Sequence, residues 1–253
     1  MRFTQAILRT PGPDCARGLT TAALGAPDYD RLLDQHRAYR DTLERLGLAC
    51  TVLNPLAGCP DAYFVEDTAI VSDHLAIITR PGADSRRGET ATIEQALAGI
   101  RPLALIEPPG TVDGGDVLFA DGHCFIGVSA RTNENGASQL SRHLQHSGTE
   151  STRVRVPSGL HLKSSVNYLE NGRLLLIDAF SEEPAFSRFE HIVVEADEAY
   201  AANTLWINGT LLIPTGYPRL KSRLETLGDP VIALDTSEAA KMDGGLSCLS
   251  LRF

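Results

Sequence analysis

Asp116-Val117-Leu118-Phe119-Ala120-Asp121-Gly122-His123-Cys124-Phe125-Ile126-Gly127-Val128 decides the fold. Two short runs of apolar and β-branched residues lie on either side of Asp121-Gly122. An Asp-Gly pair suits a turn whose two central residues both take positive φ, so the stretch predicts a tight β-hairpin. The figure recurs. Glu66–Val71 and His74–Thr79 lie across Ser72-Asp73, Ser165–Leu169 and Arg173–Asp178 across Asn171-Gly172, and Thr204–Ile207 and Thr210–Ile213 across Asn208-Gly209.

Outward from each hairpin the pattern changes period. Ser85–Leu97, Gly136–Leu144 and Tyr217–Leu227 carry apolar residues at helical spacing, and Ser181–Phe189 does so more weakly. A further strand follows each: Leu103–Glu107, Thr152–Val156, Ile192–Glu195 and Val231–Leu234. Near the N-terminus, Tyr29–Leu46 reads as a long amphipathic helix followed by the strand Cys50–Leu53. Phe3–Leu8 and Leu246–Leu251 read as single strands. If those two pair, five units of hairpin, helix and strand result, the last shared by the two ends of the sequence. Such closure hides sheet edges. The expected architecture is an α/β propeller of five blades, with pseudo-fivefold repeats around a central active site. No Pro- or Ser-rich linker divides residues 1–253, which predicts a single catalytic domain.

The 253 residues carry 23 basic and 32 acidic side chains, a net charge of −9. That balance argues against nucleic acid or an anionic membrane as partner and is compatible with a cationic ligand. The five cysteines are odd in number and form no C-x-x-C pair, which points to a reducing compartment. No apolar run matches a signal peptide or a membrane span. A cytoplasmic protein is expected, with a homodimer left open.

The residues leading into the hairpins bear the chemistry. They are Glu66-Asp67, Asp113, His161, Asn203 and Cys248, and from Asp67 they follow at intervals of 46, 48, 42 and 45 residues. In a five-bladed ring, equivalent positions point to one place. A thiol acts as a nucleophile when it is thiolate, so Cys248 needs a base or a cationic neighbour. His161 can protonate a leaving group and then deprotonate water, with Asp113 fixing its tautomer. Strand alternation from Glu66 to Val71 would send one of the two adjacent acids inward and one outward. A carboxylate there can hold a guanidinium, whose planar fork it matches. Taken singly, Cys248 reads also as an inert core thiol, and His161, flanked by Leu160 and Leu162, reads more readily as a core histidine. Asp113-Gly114-Gly115-Asp116 is no phosphate loop, and the Asp, His and Cys lack the local spacing of a zinc site.

Several motifs resemble the dimethylarginine dimethylaminohydrolase family. They are Phe64-Val65-Glu66-Asp67, Ile78-Thr79-Arg80-Pro81-Gly82, Ser85-Arg86-Arg87, Asp113–Phe119, Arg131-Thr132-Asn133, Leu160–Ser164 and Ser247-Cys248. The resemblance implies a five-bladed α/β propeller that hydrolyses Nω-methylated L-arginine to L-citrulline and methylamine or dimethylamine, without cofactor or metal. It implies Cys248 as nucleophile, His161 as general acid and base, and Asp113 as the acid that orients His161. It implies Asp67, Glu66 and Phe64 around the guanidinium, and Arg86 and Arg131 on the substrate carboxylate. Asp61 and the backbone carbonyl of Leu19 would meet the α-amino group, Met242 would line the site, and Arg17–Gly25 would form a lid. Two alternatives remain: a deiminase-like hydrolase of another guanidino amino acid, and a non-catalytic propeller that binds a partner.

Overall fold

The computed structural model describes residues 2–157 and 159–253. In chain order its strands and helices are β1 (Gln5–Arg9), α1 (Tyr29–Arg45), β2 (Ala49–Leu53), β3 (Ala69–Val71), β4 (Ala76–Ile78), α2 (Thr90–Leu97), β5 (Leu103–Leu105), β6 (Val117–Ala120), β7 (His123–Val128), α3 (Glu134–His146), β8 (Glu150–Arg155), β9 (Val166–Tyr168), β10 (Arg173–Ile177), β11 (Glu190–Val194), β12 (Leu205–Ile207), β13 (Thr210–Pro214), α4 (Pro218–Glu225), β14 (Val231–Leu234), α5 (Ser237–Ala240) and β15 (Leu251–Arg252). The strands form five three-stranded sheets.

Three sheets belong to a compact unit of residues Glu66–Ala202, and two to a unit made of Met1–Val65 and Asn203–Phe253. All five follow one plan. An antiparallel pair supplies a central strand, and a third strand pairs with it in parallel. Parallel pairing requires a crossover. Helices α2 and α3 supply it in the larger unit; α1 and α4 supply it in the other. In the sheet β15-β1-β2, the antiparallel partner of β1 is β15, with Ile7 opposite Leu251, so the two ends of the sequence share one sheet.

Local chemistry accounts for the turns. Asp121-Gly122, Asn171-Gly172 and Asn208-Gly209 all have positive φ at both positions, the geometry that matches strand twist. The turn after β3 is different: the Ser72 hydroxyl donates to the Leu75 carbonyl and accepts from the Leu75 N–H. Helix α1 begins where the Asp28 side chain accepts from Arg31 N, and α3 where Asn133 accepts from Gly136 N. Such caps contribute about 1 kcal/mol each. Each unit has its own core. Leu32, Tyr39 and Leu43 of α1 join Leu8, Ile207 and Leu212 in the first, while Phe125, Leu174, Phe180 and Phe186 form one of two clusters in the second.

Three sequence expectations need correction. Ser181–Phe189 forms no α-helix; one 3-10 turn, Pro184–Phe186, is all that develops. Pro184 has no N–H and holds Glu183 extended, so a helix cannot run through. Leu246–Leu251 is not a strand either: Ser247–Leu249 is a 3-10 turn, and pairing begins at Leu251. Glu66 and Asp67 lie in a 3-10 turn, Val65–Thr68, so strand alternation does not apply and both side chains are buried.

Candidate active site

Short 3-10 turns deliver the candidate residues. In the unit of residues 66–202, Asp113 precedes the turn Gly114–Asp116, and His161 precedes Leu162–Ser164. His161 Nε2 lies 3.0 Å from Asp113 Oδ2, and its Nδ1 is 3.9 Å from Asp67 Oδ1. Burial works against the imidazolium, yet the carboxylates of Asp67, Asp113 and Asp116 outweigh it and raise the His161 pKa to about 9. Burial pushes Asp113 upward, but the hydrogen bond and charge of His161, the charge of Arg86 and the Gly82 N–H bring it below the usual carboxylate range. Two glycines make the approach close enough. A Cβ at Gly115 would sit 2.6 Å from His161 Nδ1, and one at Gly114 would sit 1.9 Å from the Glu66 carbonyl oxygen.

The paired acids are both engaged. Asp67 Oδ1 accepts from Gly115 N at 2.9 Å, and its Oδ2 meets Arg86 Nη1 at 2.5 Å. Arg86 is buried and also bonds Glu89, at 2.8 Å. Glu66 accepts from Lys163 Nζ at 2.8 Å, a partner that sequence reasoning passed over although it stands two residues after His161. Arg131 has a side chain that is 18% exposed, and its guanidinium reaches to 3.8 Å from Asp113. Thus Asp67, Asp113 and His161 come together as expected. Arg86 joins them from within, through its ion pair with Asp67. Those three offer ligand atoms within 4.8 Å of one another, the geometry of a candidate metal site. In the structure His161 and Asp113 bond each other, and Asp67 bonds Arg86 and Gly115 N.

In the other unit, Cys248 sits in the turn Ser247–Leu249. The Gly245 N–H points at its Sγ at 3.4 Å. Asn203 grips the preceding residue twice: its Oδ1 accepts from Ser247 N at 2.9 Å and its Nδ2 donates to Ser247 Oγ at 3.0 Å. Met242 and Phe64 are buried in the same cluster, where a Cβ at Gly244 would meet the Phe64 ring at 2.2 Å. The two carboxylate oxygens of Asp61 both lie 3.1 Å from Leu19 N, so the expected contacts of the α-amino group are neighbours. The segment after Leu19 is tied down through Thr20 Oγ1, which donates to the Lys241 carbonyl, and Thr21 N, which donates to Asp243 Oδ2.

No family model matches the chain. Individual relatives do. The chain is 44% identical over 253 residues to N(G),N(G)-dimethylarginine dimethylaminohydrolase of Pseudomonas aeruginosa, covering 99% of this chain and 100% of that protein. It is 35% identical to the protein of the same name from Streptomyces coelicolor, covering 100% and 98%. A cysteine-to-serine variant of the P. aeruginosa enzyme complexed with citrulline superimposes with a TM-score of 0.98 over all of both chains. A histidine-to-glycine variant of dimethylarginine dimethylaminohydrolase, as an adduct with S-methyl-L-thiocitrulline, gives 0.97 over 99% of this chain and 100% of that one. Five three-stranded blades and these likenesses define an α/β-propeller hydrolase. More narrowly, the chain belongs to the dimethylarginine dimethylaminohydrolase family.

Proposed function

We propose that this chain hydrolyses Nω-methylated L-arginine, as asymmetric dimethylarginine or monomethylarginine, to L-citrulline and dimethylamine or methylamine. The observation that carries the reading is the 44% identity along the whole chain to an enzyme of that name. The citrulline complex and the thiocitrulline adduct of its relatives support a guanidino amino acid as ligand.

The guanidinium carbon is a weak electrophile, so it must be held in line with the nucleophile. Asp67 and Glu66, beside Phe64, hold the cation, and the cation in turn favours the thiolate of Cys248. Cys248 Sγ attacks the carbon to give a tetrahedral adduct. His161, kept protonated by Asp67, Asp113 and Asp116, donates its proton to the methylated nitrogen, the C–N bond breaks and the amine leaves. The S-alkylthiouronium then meets a water that His161 deprotonates. Collapse of the second adduct releases citrulline and returns the thiolate. Arg131 and Arg86 receive the substrate carboxylate, Arg131 being the more exposed and Arg86 the one already bonded to Asp67 and Glu89. Asp61 and the Leu19 carbonyl receive the α-amino group, with Met242 lining the site. The scheme requires no metal or cofactor.

The proposal treats residues 1–253 as one catalytic domain, located in the cytoplasm and free to form a homodimer. None of the described helices is long and apolar enough to cross a membrane. The decisive experiment is citrulline release from arginine, monomethylarginine and asymmetric dimethylarginine, with rapid-quench mass spectrometry of the protein. An adduct on Cys248 and release from the methylated substrates are expected. Full turnover by Cys248→Ser would overturn the mechanism, and release from none of the three would overturn the substrate.

A further inference from the structure

Asp116 is fully buried, and among the described residues it forms no ion pair. Its carboxylate accepts three hydrogen bonds. Oδ1 takes the N–H of Leu162 at 2.9 Å; Oδ2 takes the hydroxyls of Ser129 and Thr132, both at 2.7 Å. Each hydroxyl has one proton. With that proton committed to Asp116, its lone pairs must face donors. They do. Ser129 Oγ accepts from Arg131 N at 3.0 Å and from Thr132 N at 3.1 Å, and Thr132 Oγ1 accepts from Asp113 N at 3.1 Å. There is no slack around the carboxylate: a Cβ at Gly127 would lie 3.0 Å from Oδ1.

The three routes end at three different parts of the proposed chemistry. Leu162 follows His161 directly, Thr132 holds the main chain of Asp113, and Ser129 holds the main chain of Arg131 and the N–H of Thr132. We propose that Asp116 is a positioning residue that sets the proton donor, its orienting acid and the carboxylate-binding arginine in common register. The inference rests on the roles given above to His161, Asp113 and Arg131. Three donors converge on Asp116, so an ionised carboxylate is the form that satisfies them all. An amide cannot reproduce the pattern, because in either orientation its NH2 would face a donor, the Leu162 N–H or the two hydroxyls whose protons already point inward.

The two hydroxyl branches make the inference separable from a general loss of stability. With active sites titrated and asymmetric dimethylarginine as substrate, Ser129→Ala is expected to raise KM about tenfold with little change in kcat. Thr132→Val is expected to lower kcat about tenfold with little change in KM, and Thr132→Ser to restore it. Asp116→Asn is expected to do both, with a kcat loss near a hundredfold, and adding either hydroxyl variant to it should change little more. Unchanged kcat and KM in Ser129→Ala and Thr132→Val would overturn the inference even if Asp116→Asn does not fold. So would equal proportional losses of both parameters in both. The imidazole nitrogen shifts of His161 need no substrate. They should move in Thr132→Val and return in Thr132→Ser, and shifts unmoved in both overturn the inference whatever the wild-type chain turns over. Absence of citrulline release by the wild-type chain bears instead on the substrate reading alone.

Discussion

His161 turns Nε2 to Asp113 at 3.0 Å, and both side chains are closed to solvent, at 4% and 0% exposure. A buried imidazole held this way has one ring nitrogen fixed as donor, which leaves Nδ1 for proton transfer. Asp113→Asn keeps the shape but removes the acceptor charge. It is expected to lower kcat by roughly two to four orders of magnitude, as loss of the orienting acid does in hydrolytic triads. Steady-state kinetics at several pH values checks this.

The carboxylates around His161, Asp67 first, make stability depend on alkaline pH. The folded His161 pKa of about 9 lies above its ordinary value of 6.5. The stabilisation is therefore fully present below about pH 6.5 and is lost as pH rises through about 9. Urea midpoints between pH 6.5 and 10 should fall more steeply for the wild type than for His161→Gln. Parallel curves would show that His161 carries no such linkage.

His36 on α1 gives the opposite sign. It is buried, its Nε2 has no hydrogen-bond partner among the described residues, and burial together with Arg40 lowers its pKa to about 4. The unfolded chain takes up a proton near 6.5 and the folded chain resists it. Stability should decline as pH falls from about 6.5 towards 4, by on the order of 3 kcal/mol in full. His36→Leu should flatten that decline in acid urea titrations.

Gly115 is required by the ring of His161. Its missing Cβ would sit 2.6 Å from Nδ1 and 3.0 Å from Asp67 Oδ1. Gly115→Ala must push the imidazole aside, and in the role proposed for His161 a misplaced general acid forfeits most of its contribution, roughly a hundredfold or more. Turnover compared with thermal stability separates this effect from unfolding.

Lys163 and Glu66 form a nearly buried ion pair, with side chains 13% and 4% exposed. Lys163→Met deprives a buried carboxylate of that cation and is expected to destabilise the fold by roughly 3 kcal/mol. Adding Glu66→Gln should recover most of it. A double variant no better than the single one would mean that the pair carries little of the stability.

Hairpins were the legible part of this fold, because Asp121-Gly122, Asn171-Gly172 and Asn208-Gly209 announce their own backbone angles. Helix α1 was legible from its apolar spacing to within a residue. The 3-10 turns were not. They have no period, and those beside the candidate residues are fixed by bonds to distant residues, as Ser247 is by Asn203 and Leu162 by Asp116. Yet these turns carry Asp67 and Cys248 and begin directly after Asp113 and His161, so the regular spacing pointed to these positions while the way the backbone presents them was not legible. The Lys163–Glu66 pair and the ion pair of Arg86 with Asp67 were out of reach for the same reason: both are contacts between residues far apart in sequence.

One of the two compact units is a continuous stretch, residues 66–202, while the other joins residues 1–65 to 203–253. Its sheet β15-β1-β2 aligns Ile7 with Leu251, among the most distant pairings that 253 residues allow. Contacts of such separation form late, because the loop must close before they stabilise anything. The continuous stretch can acquire His161 and Asp113 in place early, as domains do during synthesis. Cys248 lies in the discontinuous unit and waits for that closure. In the roles proposed above, reactivity would be deferred: a half-folded chain would hold His161 and Asp113 in place while the Cys248 thiol still lacked a settled one.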